Sequence, residues 1–517
     1  MVWKISLLIV FFGIMLGVGL YCRKHATNVG GFVLGGRSVG PWLTAFAYGT
    51  SYFSAVIFIG YAGQFGWKFG IASTWIGIGN ALIGSLLAWV ILGRRTRLMS
   101  QHLDTSTMPE FFGKRFDSRA LKIGASVIVF VFLVPYTASL YNGLSRLFGM
   151  AFNIDYSVCA MAALTVVYVI AGGYMATAIN DFIQGLVMLG GIVAVIAAVL
   201  SGHGGFMASL EKLANVSDPA ASTMPGAFVS FFGPDPFGLL CVVILTSLGT
   251  WGLPQMVQKF CAIKSEKSIH KGTVISTLFA LVVAGGCYFL GGFGRISSVA
   301  VGENGLPVGG YDAVVPAMLE SLPDILIGIV VILVLSASMS TLSPLVLASS
   351  STLTIDFIKD NLVKNMSEKK QVLVMRIFVV VFIAISAIIA IVQYNSSVSF
   401  IAQLMGISWG ALAGAFLAPF LYGLYSKKIS KASVWVCFIF GVGVMTLNMF
   451  FRSAFPTVLQ SPINCGAFAM IAGLILVPLV SLFTKKPDEK TVDGMFECYE
   501  QTVVVAAKEA LGDDVKE

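Results

Sequence analysis

Apolar residues run through this chain in blocks of about 20, separated by short stretches that hold most of the charge. A helix of that length crosses roughly 30 Å of hydrocarbon, where a backbone must satisfy its own hydrogen bonds. The blocks predict thirteen membrane helices, at 4–22, 41–65, 71–92, 120–147, 155–173, 181–200, 236–257, 272–294, 322–350, 371–393, 397–424, 432–451 and 462–483. Residues 312–320 predict a short surface helix ahead of the ninth span. Span one is long for a signal-peptide core, runs straight into Arg23 and Lys24, and ends without a small-residue cleavage site. It reads as an anchor.

Composition agrees with this pattern. Of 517 residues, 57% are hydrophobic and 11% charged, against about 25% charged in soluble domains. The net charge of +8 would suit a nucleic-acid partner, but its distribution excludes one. With the N-terminus outside and thirteen spans, all but six of the 33 Lys and Arg fall on the side of the C-terminus; the six are Lys4, Lys68, Arg146, Lys212, Arg295 and Arg452. That bias is the positive-inside pattern, and it predicts a multi-pass protein of the plasma (cell inner) membrane with a cytoplasmic C-terminus.

The eight cysteines are scattered and form no C-x-x-C pair, and the four histidines fall in loops or at helix ends. Buried apolar packing is expected of such cysteines, with no metal cluster. The outer loop 201–235 and the tail 485–517, with one helix expected at 499–511, are too small for a catalytic or signalling domain. The expectation is one transmembrane domain, 1–484, a short cytoplasmic tail, and no enzyme activity. The working unit is expected to be a monomer in the lipid bilayer.

Spans two and seven are interrupted. Span two contains Tyr48-Gly49-Thr50-Ser51-Tyr52-Phe53-Ser54, and span seven contains Thr246-Ser247-Leu248-Gly249-Thr250-Trp251-Gly252-Leu253-Pro254-Gln255. Glycine and proline inside a helix weaken it, and a pair of such spans at matching positions marks inverted-repeat carriers. Spans 2–6 (about 41–200) and 7–11 (about 236–424) would be the repeats. Tolerated kinks would give the same residues.

Span centres carry essentially no Asp, Glu, Lys or Arg; Asp181, Asp235 and Lys259 fall at predicted span ends. Proton relays are built from titratable groups, whereas this chain offers hydroxyls and backbone oxygens. That favours sodium over a proton, with Asp181 leaving the proton alternative open. Span nine is richest in them, with Ser336-Ala337-Ser338-Met339-Ser340-Thr341-Leu342-Ser343-Pro344. Ala337, Ser340 and Thr341 lie at i, i+3 and i+4, on one helix face. Small and hydroxylic residues also serve helix packing.

Taken in order, Leu34-Gly35-Gly36-Arg37-Ser38, Phe58-Ile59-Gly60, Ala171-Gly172-Gly173-Tyr174, Asn180-Asp181-Phe182-Ile183-Gln184-Gly185, Gly252-Leu253-Pro254 and Met339-Ser340-Thr341 resemble the sodium:solute symporter family, from about Gly31 to Lys428. The resemblance implies an all-α, LeuT-like fold: an inverted 5+5 repeat with one extra N-terminal and two extra C-terminal helices. It implies a sodium site built from the carbonyls of Thr50, Phe53 and Ala337 and the hydroxyls of Ser340 and Thr341. Some members hold a second sodium with the aspartate matching Asp181 and span-nine hydroxyls; here Asp181, Ser340 and Ser343 match, while Pro344 replaces a further serine. Of the proline branch's pattern the chain keeps only Ser54, Tyr136 and Pro254, while residues 51–60, residues 180–188 and Gly252-Leu253-Pro254 look most like the pantothenate branch. Both branches imply a carboxylate-bearing solute, which the N-terminus of a broken helix would suit. Tyr52, Gln64, Tyr136, Trp251, Pro254, Gln255 and Gln403 are candidate solute contacts, although packing or interfacial anchoring places the same residue types there. A proton symporter on the same scaffold, a channel and a membrane sensor are the alternatives.

Overall fold

The computed structural model describes residues 2–25, 27–51, 53–152, 157–219, 221–302, 305–359, 362–363, 366–394 and 401–500. The described elements are all helical. Ten helices are long and apolar enough to cross a membrane, or eleven if the bent pair Pro236–Gly252 and Pro254–Cys261 is one span. The expected thirteen is therefore approximate, and the difference lies in two long runs.

One of these, Val56–His102, has 47 residues and would extend about 70 Å if straight. It turns back at Gly70, where φ is 60° and ψ is −142°, a conformation that residues with a Cβ avoid. The partners on the neighbouring helix Glu266–Gly291 record the reversal. A Cβ on Gly49 would meet Phe279, and one on Gly66 would lie 1.9 Å from the Gly291 oxygen. Beyond the turn, Ser73 Oγ donates to Tyr288 O, Ser85 Oγ meets Ser276 Oγ, and Trp89 packs on Gly272. Contacts climb that helix and then descend it, so the run covers the end of span two and the whole of span three. The second run, Ser157–Gly202, bends at Gly173 (φ 56°, ψ −151°) and covers spans five and six.

Many exposed side chains are large and apolar, among them Ile9, Val90, Val193, Ile388, Ile439 and Leu482. Apolar surface on that scale suits hydrocarbon as its solvent. Span nine (Asp324–Lys359) is 78% buried over its apolar window and span eleven (Ile401–Tyr425) 89%, against 39% for span ten (Glu368–Val392). Spans nine and eleven are the interior, and span ten lies at the rim.

The cation-rich loops meet on one face. Arg37 reaches Ser100, Thr105 and Cys261; Arg97 donates to Ile263 O and Lys264 O; Arg115 donates to Gly423 O; Lys427 pairs with Asp493 at 2.7 Å. The described part of the tail forms a helix at Glu489–Phe496 on that same face. Most of the helix expected at 499–511 lies outside the described residues. On the opposite face Arg295 pairs with Asp218 at 3.0 Å and donates to Trp67 O. The expected surface helix is present at Val314–Glu320.

Candidate ion and solute site

Span two is broken into two arms. The first is the helix Pro41–Thr50; a non-helical stretch around Ser54 follows, and π-type turns at Val56–Tyr61 lead into Ala62–Phe69. A break strands carbonyls at the end of the first arm and N–H groups at the start of the second. Span nine supplies partners for both. Ser340 Oγ lies 3.4 Å from Thr50 O and 3.0 Å from Ala337 O. Thr341 Oγ1 lies 3.2 Å from Phe53 O and 3.1 Å from Ala337 O. The start of the second arm is held by Ser338, whose Oγ accepts from Ala55 N at 3.2 Å. Ser338 has no role in the sequence expectations, since only the break reveals which N–H needs an acceptor.

Five oxygens thus converge, all on buried residues and none carrying a formal charge. Calcium, close to sodium in radius, sits about 2.3–2.6 Å from its oxygens, which puts neighbouring ligands roughly 3.4 Å apart. The observed spacings of 3.0–3.4 Å are of that size. A hard monovalent cation fits such a neutral cage.

Of the residues expected at a second ion site, Ser343 donates to Met339 O within its own helix at 2.8 Å. Asp181 faces Lys259: Nζ lies 3.5 Å from Oδ2 and also donates to Ala47 O, in the last turn of the first arm of span two. Both side chains are at most 2% exposed. Sequence reasoning placed this ion pair at span ends and so missed it. Lys259 lies on the second arm of span seven, Pro254–Cys261, which is bent by 48° from the first.

The solute candidates separate. Tyr136 is buried, with its ring edge-on to Trp409 at 5.8 Å. Ser54 and Trp409 both lie within hydrogen-bonding reach of the Tyr136 hydroxyl, whereas Gln255 Oε1 is buried without a hydrogen-bond partner, and such an atom asks for a ligand or water. Trp409 is absent from the sequence expectations. Pro254 starts the second arm of span seven. Trp251 spends its N–H on Ile83 O at 3.0 Å, so it acts as a strut. Gln403 is half-buried and accepts from Arg452, while Gln64 is half-buried on the second arm of span two. Tyr52 lies outside the described residues. Two clefts lie elsewhere, about 410 Å³ beside Arg115 and the 485–495 segment and about 290 Å³ around Arg295 and Asp218.

The profile of the sodium:solute symporter family matches residues 32–441. The chain belongs to the sodium:solute symporter family. Among its relatives, the osmoregulated proline transporter OpuE of Bacillus subtilis is 28% identical over 484 residues, covering 92% of this chain and 94% of that protein. The sodium/proline symporter of Staphylococcus aureus is 29% identical over 514 residues, covering 94% of each. Among solved structures, a Na⁺-coupled sialic acid symporter superposes with a TM-score of 0.73 at 17% identity, covering 94% of this chain and 99% of that one. The likeness in structure concerns the fold, and it agrees with the LeuT-like architecture implied by the motifs. This symporter is a transporter and not an enzyme.

The Leu34-Gly35-Gly36-Arg37-Ser38 motif of the symporter has a physical basis. Gly35, Gly36 and Arg37 are all left-handed, at φ 59°, 66° and 53°. Such a conformation is costly for an arginine and persists where surroundings enforce it. Here the guanidinium donates to Ser100 Oγ, Ser100 O, Cys261 O and Thr105 O, tying the loop before span two to the end of span seven.

Proposed function

We propose that this symporter imports a small carboxylate-bearing solute, with an amino acid such as proline as first choice, using sodium bound where span two breaks beside span nine. The convergence of the Thr50, Phe53, Ala337, Ser340 and Thr341 oxygens carries this reading. The names of the relatives support proline. The buried, unpartnered Gln255 Oε1 supports a polar solute. The second arm of span two starts at Ala55, and a helix N-terminus favours a carboxylate.

In this reading the cation-rich face is cytoplasmic, and the two repeats, about 41–200 and 236–424, rock against each other. Sodium bridges spans two and nine in the solute-competent state, and coupling follows because it binds that state better than the alternatives. One charge crossing 100 mV contributes about 2.3 kcal/mol, and about 1.4 kcal/mol is tenfold. One sodium with a zwitterion therefore supports accumulation of several tens-fold before the sodium gradient is counted.

The test is uptake of radiolabelled amino acids, pantothenate and other small carboxylates into proteoliposomes, with inward sodium or proton gradients. Saturable proline uptake that requires sodium is expected. Full-rate uptake in choline medium driven by a pH gradient overturns sodium coupling, and sodium-driven uptake of another solute alone overturns the choice of proline.

A further inference from the structure

The pair Lys259–Asp181 lies outside the five-oxygen cage yet touches the same broken helix. Asp181 and Lys259 are both about 1% exposed. The ammonium of Lys259 has two partners, the Asp181 carboxylate and the carbonyl of Ala47. Ala47 O also accepts from Ser51 Oγ at 2.9 Å. This is the C-terminal turn of the first arm, where helix carbonyls lack internal partners and a positive charge is favoured. The next carbonyls along that end, Thr50 O and Phe53 O, belong to the proposed sodium cage. Gly185, one turn beyond Asp181 on span six, packs against the Thr50 side chain. Two cationic positions therefore share one helix end.

A buried ion pair contributes little to stability by itself, because desolvation offsets the attraction. Its placement points to another role. The ammonium already lies against the carboxylate that would have to hold a second ion, and a free cation there would meet like charge. Asp181 Oδ1, both polar side-chain atoms of Asn180 and Gln184 Oε1 are buried without a hydrogen-bond partner. That region thus keeps oxygens in reserve for a cation should the ammonium be removed.

We propose that Lys259 is a tethered cation, holding by its side chain the position at Asp181 and the end of the first arm where a second sodium would otherwise bind. The symporter then binds one sodium per chain, and removing the ammonium creates a second site. This rests on the reading of the Ser340–Thr341 cage given above.

The test is equilibrium binding of ²²Na⁺ to the purified full-length protein, with no solute present. Wild type is expected to bind one sodium per chain, Lys259→Ala two, and Lys259→Ala with Asp181→Ala one; Lys259→Arg, which keeps a cation, stays at one. Two sodium ions per wild-type chain overturn the proposal, and that measurement depends on no variant. A monodisperse Lys259→Ala protein that binds the same number as wild type also overturns it and leaves a structural ion pair. If wild type binds none but Lys259→Ala binds one that Asp181→Ala abolishes, the tethered cation stands and the Ser340–Thr341 cage falls.

Discussion

Thr341 Oγ1 lies 3.2 Å from the carbonyl oxygen of Phe53, a residue 288 positions away in the chain. The contact joins a side chain to a carbonyl that only a broken helix could leave available. Ser340 makes the parallel approach to Thr50 O. Replacing both hydroxyls, Ser340→Ala with Thr341→Ala, removes two of five oxygens. Half-maximal uptake should then need about tenfold more sodium or beyond, a loss of about 1.4 kcal/mol or more. Sodium titration of uptake checks this, and an unchanged half-saturation would remove the site assignment.

Ser338 supports the break from the other side, accepting from Ala55 N. Ser338→Ala leaves that N–H without its acceptor, which for a helix start costs about 1 kcal/mol. Slower uptake and a lower melting temperature are expected, with sodium half-saturation within about twofold of wild type. A sodium shift as large as that of the double variant would place Ser338 among the ion ligands instead.

Tyr136 and Trp409 sit edge-on at 5.8 Å, with the Tyr136 hydroxyl within reach of both Trp409 and Ser54. If they face the solute, Tyr136→Phe and Trp409→Phe should each raise the KM for solute by about tenfold, the scale of one lost hydrogen bond. Sodium half-saturation should stay put. Uptake kinetics at saturating sodium decide it; a fall in rate at constant KM would mark both as packing residues.

Asp312 lies just ahead of the surface helix Val314–Glu320, buried against the start of span eleven. Burial pushes its carboxyl up to about 6 from 3.8, opposed by Arg146 and by the Ile401 backbone. The packed arrangement thus binds the proton more tightly than an opened one, so between those values it is favoured as pH falls and disfavoured as pH rises through about 6. Uptake should respond to pH on that side near 6, and Asp312→Asn should flatten the response. A profile unaltered by the substitution would rule the residue out.

Arg37 closes the cation-rich face through four acceptors, one of them the carbonyl of buried Cys261. Lysine cannot reproduce that fork. Arg37→Lys and Arg37→Ala should raise the rate of maleimide labelling at Cys261 by about tenfold, the effect of roughly 1.4 kcal/mol on a local opening. Mass spectrometry of the labelled protein reads it, and wild-type rates in both variants would remove Arg37 as a latch.

The amino-acid sequence by itself determined the all-helical membrane architecture, because lipid leaves a backbone few options and the apolar blocks have the length to cross it. It marked both broken spans through Gly49, Gly252 and Pro254, and it put Ala337, Ser340 and Thr341 on one face through helical spacing. It also grouped the cation-rich loops, which the fold brings together around Arg37, Arg97 and Arg115. What only the tertiary structure decided depends on which helix ends meet. Lys259 and Asp181 read as charges at span ends, and only the packing of span seven against span six pairs them at 3.5 Å. Ser338 was one serine among several until Ala55 needed an acceptor, and Trp251 seemed free for solute until its N–H reached Ile83. Periodicity fixes the face a residue shares with its own helix; the partner across the gap is set by long-range packing, which a local pattern does not encode.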